Sequence, residues 1–310
     1  MRQAGISEAG LRATGGWLSG ERRQSDRTQE GYVEDLSRWV AWCMIRGINP
    51  AGASAEYADN FAKSMRDAGL ASATRARRLS AASSWLRYLL RLEVASLNPF
   101  DDMERPKIPP RSATRGMSEE ELNRFLAYAQ QRESARTYAL LSLMAATACR
   151  VSSVTGAQLT GISEDSGHRV IDMPVKGAHF QRFVLPAVTV DALSAWRAER
   201  GDEPGHLFIT VSGKPLDQPA VFRTVRRVAA GAAIPQANAL SPHSIRHTVL
   251  TILHDRNYPT HVIQDLAGHA DSRTTRRYDL ARGSLDRSPA NDLGAIFAAG
   301  ISRYASGFGA

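Results

Sequence analysis

Cysteine is scarce: the 310-residue chain has 2, Cys43 and Cys149. Two thiols cannot build a disulfide framework, which points to an intracellular setting, and they cannot form a cysteine-rich zinc centre. Long apolar runs are also missing. The longest apolar stretch, Ala139 to Cys149, is too short to cross a bilayer and is bracketed by Arg136 and Arg150. Residues 1–24 are polar and glycine-rich with no h-region, so no secretory leader is expected. There is no tandem repeat and no long low-complexity tract. Acidic residues are in the minority, 31 Asp+Glu against 39 Lys+Arg, a net charge of +8. That surplus suggests a polyanionic partner, nucleic acid ahead of an anionic membrane surface. Hydrophobic residues are 43%, enough for a core in each of about two domains at roughly 150 residues per domain.

Punctuation along the chain divides it. Residues 1–24, with Gly15, Gly16 and Gly20, read as a flexible extension. Helical spacing then begins: Thr28 caps a helix carrying Tyr32, Leu36, Trp39, Val40 and Cys43, ended by Gly47 and Pro50. Ser54 opens a second helix with Tyr57, Ala58, Phe61 and Met65 on one face, and Ser72 a third with Leu79, Ala82, Leu86, Leu89 and Leu90 inward. The third also carries Arg75, Arg77, Arg78, Arg87 and Arg91, which form either a solvated face or a phosphate-contacting one. These residues make a helical domain over 25–105. Pro106, Pro109 and Pro110 among charges make 106–116 an extended linker.

Ser118 and Glu121 form a capping box that announces a second domain, 117–284. Its expected helices cover about 118–131, 135–149, 189–200, 218–230, 242–255, 260–267 and 272–280. Strand-like runs at 169–175, 180–185 and 206–210 interrupt them. The fold class expected is mainly α with a small β-sheet. The end, Leu293 to Tyr304, is alanine-rich and weakly amphipathic, suited to a helix that packs on its own domain or on a neighbouring subunit.

The residues that carry chemistry lie in this second half. In Ser-Pro-His-Ser-Ile-Arg-His, residues 241–247, Ser241 and Pro242 start a helix and put His243 and Arg246 on one face. Leu-Ala-Gly-His, 266–269, brings His269 just after a permissive glycine, and Tyr278 closes the following segment. Arg150 ends an apolar helix and needs a partner or an anion if buried. Lys176 sits in the turn between two strand-like runs, and Lys214, in Ser-Gly-Lys-Pro, is the second candidate for its role. No acidic metal cluster accompanies them, so neither a metal nor a cofactor is expected.

This set suits metal-free phosphoryl transfer. Two guanidiniums can hold the non-bridging oxygens of a phosphodiester as negative charge develops there. Tyr278 can attack phosphorus, with His243 accepting its proton. Lys176 can protonate the departing 5′-hydroxyl, and His269 can donate to a phosphate oxygen. A phosphotyrosine conserves the bond energy, so the strand can be resealed without ATP.

The ordered set Arg150, Lys176, His243-x-x-Arg246, Gly268-His269, Tyr278 resembles the tyrosine recombinases, the phage-integrase family. Ala-Thr-Ala-Cys-Arg-Val-Ser is similar to the family's first arginine motif, and Val-Lys-Gly followed by Arg182 and Pro186 to its β-hairpin lysine motif. His-Ser-Ile-Arg-His-Thr and Leu-Ala-Gly-His resemble the second arginine and second histidine motifs, and Tyr278 falls nine residues after His269. Residues 28–42 and the turn Asn98-Pro99-Phe100 resemble its helical core-binding domain. Two positions depart from the pattern. Ser153 stands where the family often has an acidic residue, and His179 and Phe180 stand where it commonly has small polar ones in a slightly shorter hairpin.

The resemblance implies a two-domain, C-shaped clamp on double-stranded DNA, a helical core-binding domain on one face and a mixed α/β catalytic domain on the other. Arg223, Arg226 and Arg227 then join the arginines of the third helix as candidate DNA contacts. It also implies a tetramer synapsing two recombination sites, with the tail over 285–310 packed against a neighbouring protomer. An accessory directionality protein is compatible with it. The extension over 1–24 is short for an arm-binding domain, which favours a simple integrase or Xer-like recombinase, cytoplasmic and nucleoid-associated. A nicking-closing enzyme of the type IB topoisomerase kind and a catalytically silent DNA-binding protein are the competing expectations.

Overall fold

The computed structural model describes residues 5–107, 115–175, 179–268 and 289–304, which fall into two compact units dividing after Arg111. The first unit is helical: α1 (Glu8–Leu18), α2 (Asp26–Met44), α3 (Ala55–Asp67) and α4 (Ser72–Arg91). Its core is aromatic. Trp39 meets Phe61 and Phe100 edge-on, with centroids 5.2 and 5.0 Å away. Each indole at the centre finds an acceptor: Trp39 Nε1 donates to Pro50 O (3.2 Å), Trp85 Nε1 to Thr14 Oγ1 (2.9 Å) and Trp17 Nε1 to Ser84 Oγ (3.2 Å). Buried polar atoms thereby fix which way the rings face.

The expectation of a flexible stretch over residues 1–24 is overturned for residues 8–18. Ser7 accepts from the Gly10 amide at 3.1 Å and starts α1, whose Ala13, Thr14 and Trp17 are buried. The glycines mislead because one of them serves close approach. A Cβ on Gly16 would stand 2.8 Å from the Tyr88 hydroxyl, so the glycine lets α1 lie close against the Tyr88 side chain of α4. The cap of α2 also differs from expectation: Ser25, rather than Thr28, occupies that place and accepts from the Thr28 amide at 3.3 Å.

The second unit is built around α6. Its helices are α5 (Glu119–Arg132), α6 (Ala135–Thr147), the short α7 (Val151–Gly156), α8 (Ala187–Arg200), α9 (Gln218–Gly231), α10 (Pro242–Asp255), α11 (Thr260–Ala267) and α12 (Pro289–Tyr304). Every residue of α6 from Thr137 to Thr147 is buried, which suits a helix that is apolar all round. Its polar side chains are satisfied inside: Ser142 and Thr189 share a bond at 2.9 Å, and Thr147 Oγ1 donates to Leu143 O at 2.7 Å. The capping box at Ser118 forms as the sequence predicts, with bonds of 3.0 and 2.9 Å.

The sheet is antiparallel and three-stranded, β1 (Ile162–Asp165), β2 (His168–Val175) and β3 (His179–Val184), in the order β1-β2-β3. Ser166 and Gly167, with φ of 51° and 80°, make the tight β1–β2 turn between Asp165 and His168. Polar Ile-Ser-Glu-Asp gives β1 no alternating apolar face, so periodicity missed it. The run at 206–210 is not a strand. It makes isolated bridges, Gln158 with His206 and Ile209 with Pro215, while Leu207 and Phe208 are buried for packing. One arginine braces the sheet: Arg182 on β3 donates to Asp172 at 3.0 and 2.8 Å and to Asp165 at 2.6 Å. Those bonds raise its pKa, the Asp172 hydrogen bonds first.

The tail helix α12 lies on its own unit, against α5, α6, α8 and β3. Leu293, Phe297 and Ile301 are buried there, and Tyr304 Oη donates to Glu120 Oε1 at 2.8 Å. Among the described residues no helix is long and apolar enough to cross a membrane.

Candidate active site

The second unit gathers three of the expected residues. Arg150 follows the end of α6, where Ala148 takes a left-handed conformation at φ 47°, and stands just before α7. His243 and Arg246 lie on α10, whose start is fixed by Pro242 and by the Ser241 amide donating to Ser244 Oγ at 3.1 Å. Arg246 is buried, 4% exposed. Its Nη1 donates to Ala148 O at 2.7 Å and its Nη2 to Ala267 O at 2.5 Å. One guanidinium thus joins the end of α6 to the end of α11. Arg150 Nη1 makes a longer contact, 3.4 Å, to Gly268 O. Both cations therefore face the carboxyl end of α11, where unpaired carbonyls and the helix dipole favour positive charge.

Electrostatics make this a site in want of an anion. Arg246 is lowered to about 10, by burial first and then by the Arg150 charge, with the Cys149 thiol offsetting a part. Among the described residues neither arginine forms an ion pair with a carboxylate. Ser153 beside them is buried and neutral. Cys149 is no nucleophile: burial pushes its thiol up to about 11. Among the described residues no group of three or more His, Cys, Asp or Glu is placed to hold a metal ion.

His243 is held below its ordinary 6.5, by burial first, then by Arg246, His247 and Arg150. At neutral pH the imidazole is thus uncharged and able to accept a proton. The sign for stability follows. Its pKa is lower folded than unfolded, so it contributes nothing well above pH 6.5 and destabilises as pH falls through that value. An NMR titration of the DNA-free protein is expected to place the His243 midpoint below 6.5; a midpoint above it would mean that burial and the neighbouring cations do not act on the ring.

The other expectations distribute as follows. Lys176, His269 and Tyr278 lie outside the described residues. Lys214 is exposed in a turn, its amide held by Thr210 Oγ1 at 3.2 Å. On α4, Arg77 is gripped by the buried Asp35 at 2.8 and 2.9 Å, Arg78 stands 3.9 Å from the same carboxylate, and Arg87 donates to Asp101 at 2.8 Å. Arg75 reaches Ser72 Oγ at 3.1 Å, and Arg91 covers the Tyr88 ring at 4.7 Å. On α9, Arg223 is exposed, Arg226 donates to Leu240 O at 3.3 Å, and Arg227 pairs with Glu133. Two residues near the site had no role assigned by sequence. His247 follows Arg246 directly, and its Nδ1 is buried without a hydrogen-bond partner. Gln181 reaches from β3 to the end of α11. The only sequence signal for either was its place beside a motif arginine.

The sequence pattern of the Phage integrase family matches residues 115–282, more than half of the chain. The chain belongs to the phage integrase family, the tyrosine recombinases. The pattern of the phage integrase N-terminal SAM-like domain matches residues 17–93. Tyrosine recombinase XerD of Chlorobaculum tepidum is 29% identical over 287 residues, covering 88% of this chain and 90% of that protein. Tyrosine recombinase XerD of Brucella suis is 30% identical over 278 residues, covering 84% and 89%. Among solved structures, the Tn1549 transposon integrase in complex with transposon right end DNA superposes with a TM-score of 0.69 at 17% identity, covering 92% of this chain and 99% of that one. XerH site-specific recombinase bound to its difH substrate gives 0.61 at 20% identity, covering 85% and 75%. These likenesses show the family's fold.

Proposed function

We propose that the protein is a site-specific recombinase that cleaves and rejoins strands of double-stranded DNA through a covalent 3′-phosphotyrosine. In this reading Arg150 and Arg246 hold the non-bridging oxygens of the scissile phosphate, with His269 donating to one of them. Tyr278 Oη attacks phosphorus and its proton passes to the uncharged His243. The bond to the 5′-oxygen breaks and Lys176 supplies the proton that this oxygen takes up. Attack by a 5′-hydroxyl of the partner strand then expels the tyrosine and reseals the backbone. A tetramer on two sites, α4 and α9 arginines on DNA phosphates, and two domains around a linker, the first taking in α1 and the second α12, belong to the same proposal. Cytoplasmic, nucleoid-associated placement follows from acting on DNA.

One observation carries it. A buried, depressed guanidinium stands beside a second cation and an uncharged histidine, with backbone carbonyls for partners. Such a group is costly unless an anion completes it. A nicked duplex spanning the protein's own recombination site is the test. Wild-type protein is expected to form a covalent adduct that survives denaturation, and peptide mapping is expected to place the DNA on Tyr278. Attachment elsewhere overturns the assignment of the nucleophile, and the lack of any adduct overturns the enzyme. Exchange of strands between two sites separates a recombinase from an enzyme that only nicks and closes.

A further inference from the structure

The end of α11 is held by a third side chain, from the sheet. Gln181 Nε2 donates to Asp265 O at 2.6 Å and reaches Leu266 O at 3.4 Å. The same Asp265 carbonyl accepts the Gly268 amide at 3.1 Å, so the carboxamide completes the turn that ends the helix. Gly268 is left-handed there, φ 56° and ψ 44°. A Cβ at Gly268 would fall on the Gln181 carboxamide oxygen, so the side chain fills the space a glycine leaves open. The strand behind it is braced. Gln181 pairs with the fully buried Met173, and its neighbour Arg182 is clamped by Asp172 and Asp165.

We infer that Gln181 is a positioning residue for the strand-cleavage site: it holds the exit of α11 at Gly268, the residue that precedes His269 in the chain. The inference rests on the proposed role of His269 as a phosphate donor. The Gln181 carboxamide nitrogen is taken up by backbone carbonyls of α11. Gln181 supplies an N–H donor and a shape from a rigid strand, and a carboxamide is the side chain that does both without charge. Arg246 donates to Ala267 O at 2.5 Å, and Arg150 reaches Gly268 O at 3.4 Å. The carbonyls of Asp265, Leu266, Ala267 and Gly268 are therefore each reached by one of three side chains, Gln181, Arg246 and Arg150.

The test is single-turnover cleavage of a nicked site at saturating DNA, which removes affinity from the readout. Gln181→Met keeps the length and loses the donor. It is expected to slow cleavage by roughly tenfold, within the range by which supporting residues act, while the Kd for DNA stays within twofold. Gln181→Lys, which restores a donor aimed at a helix carboxyl end, is expected to recover most of the rate. In a His269→Ala background the same Gln181→Met change is expected to add less than twofold, because its route of action is gone. Wild-type cleavage by Gln181→Met, full multiplication with His269→Ala, or equal loss for Met and Lys overturns the inference. If the wild type forms no adduct, the recombinase reading fails first. Hydrogen exchange in the DNA-free protein then judges Gln181 separately. Gln181→Met must speed exchange of the Gly268 amide about tenfold, and unchanged exchange refutes the anchor.

Discussion

Arg246→Ala lowers single-turnover strand cleavage by on the order of 10³-fold, and Arg246→Lys by on the order of 10². The size follows from what the side chain does and does not contribute to the fold. A cation whose pKa is depressed to about 10 is disfavoured in the folded state at every pH below that value. Its charge is thus a cost to stability at neutral pH, and its bonds to Ala148 O and Ala267 O only partly offset that cost. Alanine removes the buried charge and leaves two carbonyls without a donor, terms of opposite sign and similar size, a few kcal/mol each. The unfolding midpoint therefore shifts far less than the cleavage rate. Lysine keeps the charge but is a point donor: it cannot bridge Ala148 O and Ala267 O and still present N–H groups to a phosphate. Circular dichroism melts run beside cleavage assays decide the matter. Cleavage within tenfold of wild type by Arg246→Ala would take Arg246 out of the reaction.

The same residue shows why much of the site was legible in advance. Arg150 follows eleven mostly apolar residues, and an arginine there must find carbonyls or an anion. His243 and Arg246 share a helix whose start Ser241 and Pro242 announce. Local signals place residues along one element well. They do not say which carbonyl across the fold a side chain will reach, so the joining of Ala148 to Ala267 through Arg246 was invisible. Gln181 was invisible for the same reason: its partners lie 84 and 85 positions away. In the fold, strong periodicity gave α2 to α6 and α8 to α11 close to their observed limits. Glycines in α1 resembled flexibility, although one of them, Gly16, serves close approach to Tyr88 on another helix. The run at 206–210 resembled a strand because buried loop residues such as Leu207 and Phe208 have the same composition.

Phe297→Ala is expected to lower the stability of the second unit by about 3–5 kcal/mol, against less than about 1.5 kcal/mol for Phe297→Leu. Phe297 is fully buried in α12, between Leu293 at 0% and Ile301 at 6% exposure. The helix can come this close because Gly300 faces Asn123 and Gly294 faces Pro186, places where a Cβ would collide. A cavity there cannot close by sliding α12 inward, so the cost falls in the upper range for a lost aromatic ring. For a unit of this size the thermal midpoint drops by about 6–20 °C. The protein concentration used in the melt separates two arrangements of the tail. With α12 seated on its own unit, the midpoint is independent of concentration. With α12 seated on a neighbouring protomer, it rises with concentration, by mass action. The expected result for the DNA-free protein is a concentration-independent midpoint and a large loss in Phe297→Ala; a loss under about 0.5 kcal/mol would mean that α12 is not docked in solution. Because α12 begins at Pro289, it also anchors the chain that leaves α11 at Gly268 and contains His269 and Tyr278. Phe297→Ala is therefore expected to slow adduct formation at temperatures well below its melt, through the far end of the same segment that Arg150, Arg246 and Gln181 hold at the near end.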